Sequence, residues 1–292
     1  MWYKDLGQIS EMMDKERNIL FLKKKKTLLL QPRDEVMMTF VAEFRLLSRE
    51  QIQKLLDFPC ITRVNIRLKK LYDHGYLSRL FLPTITGTPK TLYYLGPQGV
   101  PVVSYNLSID PLLLERERKH LQDRKVLFLN HQLFLNDVRI AFILAIKNNA
   151  QMTLERWIKE RDCLIEFQHN QGSLTVLRPD GCLCLTYQNR LYSFFVEADC
   201  STMTNGRLKS KAKAYIAYAR SGRSEQDFGF KYFRVLIITK TETRLSNLKS
   251  TIEELNNRIF YFAVRDDVCQ NYVLERVWQH SGCQGFFSLL EN

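Results

Sequence analysis

The chain has 292 residues, of which 45% are apolar and 25% are charged, as is ordinary for a globular protein large enough for two domains. It contains no apolar run of about 18 residues and no signal-peptide core near residue 1, so we expect a cytoplasmic protein without membrane contact. The formal net charge of +12 favours a polyanionic partner such as nucleic acid, because binding to phosphates releases counterions.

Residues 1–33 are interpreted as an N-terminal basic segment, with four consecutive lysines at 23–26. Such a run is typical of an arm that contacts phosphate, or of a solvated helix end. The sequence leaves these two alternatives open.

Residues 34–105 are predicted to form a winged helix-turn-helix domain. The predicted elements are helices at 34–47, 49–58 and 59–73 and strands at 76–83 and 90–97. Ser48 and Gln51 fit a capping box at the start of the second helix. Three helices followed by a β-hairpin is the winged-helix plan, and residues 1–105 carry a net charge of +7.

The third helix has two different faces. Its apolar stripe is predicted to face the domain core and comprises Ile61, Val64, Leu68 and Leu71. The candidate DNA-binding residues point elsewhere and are Thr62, Arg63, Asn65, Lys69 and Lys70. Arg, Asn and Lys pair with base edges or phosphates in a major groove, and Lys90 of the wing could reach the flanking backbone. The alternative is an ordinary solvated helix face.

The rest of the sequence predicts a helical connector at 106–150 and a mixed α/β domain at 151–292. Predicted strands lie at 163–168, 174–186, 190–199, 232–239 and 259–264, and helices at 206–220 and 243–257. This order indicates one mixed sheet flanked by helices. The fold class is therefore α+β or α/β, with separate N-terminal and C-terminal domains.

Three carboxylates are predicted to meet at one end of a β-hairpin. Strand alternation puts Glu197 and Asp199 on the same face, about 7 Å apart. A tight turn at 188–189 returns Asp180 beside them. Clustered carboxylates repel one another unless a cation compensates, and Mg²⁺ bound to oxygen ligands can activate water. The alternative is a rim of solvated acids.

The candidate catalytic residues are Asp180, Glu197, Asp199 and Lys211, with the three acids as ligands of a possible Mg²⁺. The stretch from Pro179-Asp180 to Glu197 is similar to the PD-(D/E)XK nuclease core, which implies a restriction-endonuclease-like fold. Asp199 stands where that family has lysine, and Lys211 on the following helix is the expected substitute.

Several segments in a fixed order resemble one further family. They are LSREQIQKLL, IRLKKLYDHGYLSRL, TLYYLGPQGV, NHQLFLNDVRIAF, RPDGCLCL, FFVEADCSTMT and LKSKAKAYIAY. Over residues 35–240 the chain resembles the replication-relaxation family of Gram-positive plasmids and conjugative elements. The family pattern falls on Asp180, Glu197, Asp199, Lys211 and Tyr215. The resemblance implies a DNA-binding protein of a mobile element, linked to replication and DNA relaxation.

Three functions remain open. The first is binding of double-stranded DNA through the winged helix, and the second is a Mg²⁺-dependent nuclease or nickase. The third is a regulator with an inactive nuclease-like domain that forms a homodimer or binds other replication or transfer proteins. The five histidines occur singly, so the histidine triad of relaxases is not visible, and His131 and Tyr215 are interpreted as structural.

Overall fold

A computed structural model describes residues 28–84, 87–169, 173–200, 204–255 and 257–290 of the chain. The lysine run at 23–26 lies outside the described residues, so its interpretation as an arm stays a prediction. Across the described ranges, no helix combines the length and the apolar character needed to span a membrane.

The first part of the described chain is a winged helix-turn-helix unit. Its elements are α1 (Pro32–Glu43), β1 (Leu47–Ser48), α2 (Arg49–Leu55), α3 (Ile61–Asp73), β2 (Leu77–Leu82) and β3 (Lys90–Leu95). Strand β3 lies between β1 and β2 in an antiparallel sheet. The predicted plan of three helices and a wing is confirmed.

Local sequence signals explain how α2 begins. The Ser48 hydroxyl accepts a hydrogen bond from the Gln51 backbone N–H at 3.3 Å, and the Gln51 side chain accepts one from the Ser48 N–H at 3.0 Å. This reciprocal capping box satisfies two backbone donors that a helix start leaves free.

Several predicted helix boundaries are wrong by a few residues, including the end of α2, which is at Leu55 rather than 58. Helix α1 ends at Glu43 rather than 47, because Arg45 adopts a left-handed backbone conformation with φ of 67°. Helix α3 begins at Ile61 rather than Pro59, with Cys60 as the N-cap residue.

A buried ion pair attaches α3 to α1. The Arg67 guanidinium donates to both carboxylate oxygens of Asp34, whose side chain is fully buried. Asp34 also accepts a hydrogen bond from the Gln31 backbone N–H at 2.7 Å, which caps α1. The apolar stripe of α3 adds Val64, Leu68 and Leu71 to the same core, whereas Ile61, predicted in this stripe, is only half-buried. Helix α3 is therefore held in position by both apolar packing and a charged pair.

Three helices connect the winged helix to the C-terminal sheet. They are α4 (Gly99–Leu107), α5 (Pro111–Gln122) and α6 (Val126–Lys147). Helix α6 contacts both parts: the Asn136 amide donates to the backbone carbonyl of Leu46 at 2.6 Å, and Phe142 packs against the sheet residue Phe194. The connector is thus a shared structural element rather than a linker.

The C-terminal part contains a six-stranded mixed sheet in the order β11-β10-β9-β8-β7-β4. Its strands are β4 (Met152–Lys159), β7 (Gly181–Tyr187), β8 (Arg190–Asp199), β9 (Arg234–Thr239), β10 (Phe260–Val264) and β11 (Gln279–His280). A separate hairpin is formed by β5 (Ile165–His169) and β6 (Ser173–Leu177). The helices are α7 (Asn205–Ser221), α8 (Ser224–Phe228), α9 (Glu242–Glu253) and α10 (Arg265–Asp267).

Helices cover both faces of this sheet. Helices α7 and α9 pack on one face through residues such as Leu208 and Leu248. Helix α6 packs on the other face through Phe134 and Val138. Strands β8, β9 and β10 are parallel, as two β-α-β crossovers require. The predicted mixed sheet flanked by helices is confirmed, but the strand predicted at 163–168 lies in the separate β5–β6 hairpin rather than in that sheet.

Two strand predictions needed correction. The run 174–186 is divided between β6 and β7, with Pro179, which lacks a backbone donor, in the break. Strands β4 and β11 were not predicted, and they form the two edges of the large sheet.

Candidate functional site

The β7–β8 hairpin brings Asp180 beside Glu197, as the sequence predicts. The turn residues Gln188 and Asn189 both have positive φ, 48° and 62°, which defines a two-residue type I′ turn. The Asp180 backbone N–H donates to the Val196 carbonyl at 3.1 Å. The Asp180 carboxylate accepts a hydrogen bond from the Ala198 N–H at 2.8 Å. Asp180 is therefore anchored across the ladder from Glu197.

His131 of α6 is the side-chain partner of Asp180. Its Nε2 lies 3.1 Å from Asp180 Oδ2. Burial alone would lower the pKa of His131, but the hydrogen bond and negative charge of Asp180 outweigh it and raise that pKa. Burial likewise would raise the pKa of Asp180, but His131 outweighs it and lowers that pKa. The two groups thus stabilise each other as an ion pair that joins α6 to the sheet.

Glu197 has its side-chain partners on α7. Lys211 donates to its Oε2 at 2.5 Å and the Tyr215 hydroxyl donates to its Oε1 at 2.5 Å. The Tyr215 ring is buried and packs 5.7 Å from the ring of Phe195. Tyr215 is therefore a structural hydrogen-bond donor, as predicted, and is not exposed for nucleophilic attack.

Burial is the largest influence on the pKa values of Glu197 and Tyr215. It raises the pKa of Glu197 to about 7, although Lys211 and Tyr215 favour the ionised form. Burial and the neighbouring Glu197 raise the pKa of Tyr215 well above its usual value. Glu197 is consequently a carboxyl group that takes up a proton near neutral pH.

Asp199 does not join the other two acids. Its carboxylate accepts hydrogen bonds from Arg244 of α9, from Nε at 2.7 Å and from Nη2 at 3.3 Å. Only 5% of the Asp199 side chain is exposed. The acid is thus used to hold α9 against the end of β8.

The structure does not assemble the predicted Mg²⁺ ligand set of Asp180, Glu197 and Asp199. Within the described ranges, no three His, Cys, Asp or Glu side chains are grouped as a metal ion requires. The physical reason is that each acid already has a donor of its own, from His131, Lys211 or Arg244. These residues, as arranged, do not fit a three-carboxylate magnesium site, and the requirement for Mg²⁺ stays a prediction.

The candidate DNA-binding residues of α3 form one exposed face. Thr62, Arg63, Asn65, Lys69 and Lys70 are all exposed. Ile66 lies on the same face with 53% of its surface exposed, and sequence analysis did not single it out. Lys69 makes a solvent-exposed pair with Asp73 at 2.8 Å, which leaves its charge at the surface.

Lys90 begins β3, and it is exposed as predicted. Its Nζ lies 3.9 Å from a carboxylate oxygen of Glu50 on α2. Lys90 therefore belongs to the same domain surface region as the start of α2.

A sequence model of the replication-relaxation family matches residues 38–231, about two thirds of the chain. The chain belongs to this family. The match begins within α1 and extends through the β7–β8 hairpin to just beyond α8, so most of the winged helix and all three carboxylates lie in the family region. No curated protein matches this replication-relaxation protein.

Solved structures give weak likenesses to this family member. The adhesin competence repressor AdcR from Streptococcus pyogenes is 16% identical, with 48% of this chain and 96% of AdcR covered and a TM-score of 0.25. Restriction endonuclease FokI is 13% identical, with 84% of this chain and 44% of the FokI chain covered and a TM-score of 0.31. The structure of FokI bound to DNA is 16% identical, with 84% of this chain and 45% of the FokI chain covered and a TM-score of 0.27. The chain thus spans less than half of FokI.

Proposed function

We propose that this replication-relaxation protein binds double-stranded DNA of a plasmid or other mobile element through α3 and the wing. The observation that carries the proposal is the two-sided character of α3. One side is fixed in the core by Val64, Leu68 and Leu71, and the other side exposes a compact set of basic and amide side chains. The expected location is the cytoplasm, where such DNA lies.

The chemistry of the exposed face suits a major groove. Arg63 and Lys69 can neutralise phosphates or donate to guanine, and Asn65 can pair with the edge of adenine. Ile66 offers an apolar contact for a thymine methyl group. Arg67 takes no part, because it is committed to Asp34. The face therefore combines sequence-independent attraction with groups that distinguish bases.

Replacing Arg63 and Lys69 together by Ala should weaken duplex binding about 60-fold at roughly 0.1 M salt, since two phosphate neutralisations are lost. The affinity is measured by fluorescence anisotropy on a duplex that the wild-type protein selects from a random-sequence library. The control is Arg116→Ala with Lys119→Ala, which removes two exposed cations from α5. Equal affinities of the two double variants would refute a role for α3.

Metal-dependent strand cleavage is a second candidate, supported by the juxtaposition of Asp180 and Glu197 with His131 and Lys211. These residues could hold protons next to a reacting phosphate. Wild-type protein with Mg²⁺ should then convert supercoiled plasmid to open-circular or linear DNA, and Asp180→Asn and Glu197→Gln should lose this conversion. Plasmid that stays supercoiled with Mg²⁺ or Mn²⁺ rejects this candidate.

If the protein does not cleave plasmid DNA, the C-terminal domain would be an inactive scaffold. We then propose that its role is homodimerisation or the binding of replication or transfer proteins. Each acid would then contribute to the fold through the partner it already has.

A further inference from the structure

A cavity of about 840 Å³ opens where the winged helix, the connector and the C-terminal sheet meet. Its cationic lining comes from all three parts: Arg45, Arg124, Lys125, Arg161 and Arg178. His131 also lines it, so the His131–Asp180 pair lies at its wall. None of the residues that line the cavity belongs to the exposed face of α3.

The positive charge of this cavity is not balanced by its own acids. Asp123 and Glu160 are the two lining carboxylates that face five cations. Arg161 pairs with Glu117 and Asp162, two acids outside the lining. For the other four cations, the described part of the chain offers no carboxylate within ion-pair distance. Such an excess attracts an anionic ligand with two or more charges.

Arg45 illustrates the electrostatic cost of this arrangement. Burial lowers its pKa, and the nearby charges of Arg161 and Arg124 lower it further, against the opposing effect of Glu160. The residue also has the left-handed backbone conformation that non-glycine residues rarely adopt. A bound anion would relieve the repulsion among these guanidinium groups.

The cavity also has an apolar side. Leu127 and Leu164 line it and expose 56% and 43% of their surfaces. The Arg124 guanidinium lies 4.5 Å from the centre of the Phe128 ring. Exposed apolar groups and stacked arginine planes are the surfaces on which unpaired bases pack. A small inorganic anion would make no use of them.

We propose that this cavity binds a short single-stranded stretch of nucleic acid, with its phosphates on the arginines and its bases on Leu127, Phe128 and Leu164. A volume of 840 Å³ lies in the range of about 300–1,000 Å³ that encloses small ligands, so an unpaired segment fits and a duplex does not. The site is separate from α3 and does not depend on duplex binding there.

The test measures binding of a fluorescein-labelled 12-nucleotide (about one site length) oligothymidylate to the full chain. Arg124→Gln with Arg178→Gln should weaken binding about 25-fold at roughly 0.1 M salt and reduce the log–log salt slope by about 1.4. Binding to the selected duplex should be unchanged. The matched control is Lys147→Gln with Lys231→Gln, which removes two exposed cations away from the cavity and should leave strand binding unchanged.

Three results would overturn the proposal. They are no strand binding by the wild type, equal losses in the two double variants, and displacement of the strand by millimolar inorganic phosphate at constant ionic strength. Photocrosslinking of the wild-type protein to an iodouracil-containing strand provides a readout that needs no variant. Crosslinks on the peptide with Leu127 and Phe128 support the site, and crosslinks confined to α3 refute it.

Discussion

Replacing Asp34 by Ala should lower the free energy of unfolding by about 3–5 kcal/mol, the usual effect of removing one partner of a buried ion pair. Asp34 is fully buried and is the carboxylate partner of Arg67 on α3. The substitution also removes the acceptor for the Gln31 N–H at the start of α1. Because α3 carries the proposed DNA-binding face, duplex affinity should fall in parallel.

The matched control for Asp34 is its neighbour Glu35. Both acids lie in the first turn of α1, so both interact favourably with the helix dipole. Among the described residues, the Glu35 side chain has a long contact from the Asn106 amide, at 3.4 Å. Glu35→Ala should therefore cost less than about 1 kcal/mol in urea unfolding. Similar losses for the two variants would show that the Asp34–Arg67 pair does not fix α3.

The stability of the protein should fall as the pH rises from about 4.5 to 7, and Glu197 should account for about 3 kcal/mol of that fall. Burial raises the pKa of Glu197 from 4.5 to about 7. In this window the native state holds a proton that the unfolded state has released, so stability decreases with pH. Glu197→Gln should remove this contribution, because the amide does not titrate.

His131 acts in the same direction. Its pKa is raised in the folded state, so its contribution is fully present below about pH 6.5 and is lost as the pH rises through the folded value. Asp180 acts in the opposite direction and outside the window, because its lowered pKa gives stability that is lost only in acid. Above about pH 6.5 both groups lose stability, so Glu197→Gln should keep the part of the loss that comes from His131, and His131→Gln should keep the end of the part that comes from Glu197.

The measurement is urea unfolding at pH 5 and pH 8 (chosen to bracket the shifted pKa values) for the wild type and each variant. Subtracting the profiles gives the contribution of Glu197 together with its effect on the pKa values of His131, Lys211 and Tyr215. Glu166→Gln, which neutralises an exposed acid on β5, should leave the wild-type profile unchanged. A Glu197→Gln profile parallel to the wild type would show that Glu197 is ionised throughout.

Local sequence patterns predicted most of the fold, because the features concerned depend on residues that are close in the sequence. The stripe of α3 follows the helical period, and the Ser48–Gln51 box needs only neighbouring residues. Alternation on β8 and the turn at 188–189 together placed Asp180 beside Glu197. Strand β4 was missed because the pairing register shifts between Leu154 and Arg156, which breaks the alternation.

The site partners could not be predicted because they come from distant elements. His131 precedes Asp180 by 49 residues on a helix that packs across the sheet. Arg244 follows Asp199 by 45 residues on α9. Only the packing of α6 and α9 on the sheet brings these cations to the acids, and no local spacing encodes it. The prediction of a three-acid site was wrong because the Asp199 carboxylate is already hydrogen-bonded to Arg244.

The dependence of duplex affinity on salt tests the central claim, duplex recognition by α3, most directly. The logarithm of the association constant is measured against the logarithm of salt concentration for the wild type and for Arg63→Ala with Lys69→Ala. We expect the double variant to have a slope smaller in magnitude by about 1.8, since two phosphate contacts release fewer counterions. Parallel lines for the two proteins would contradict recognition of DNA by α3.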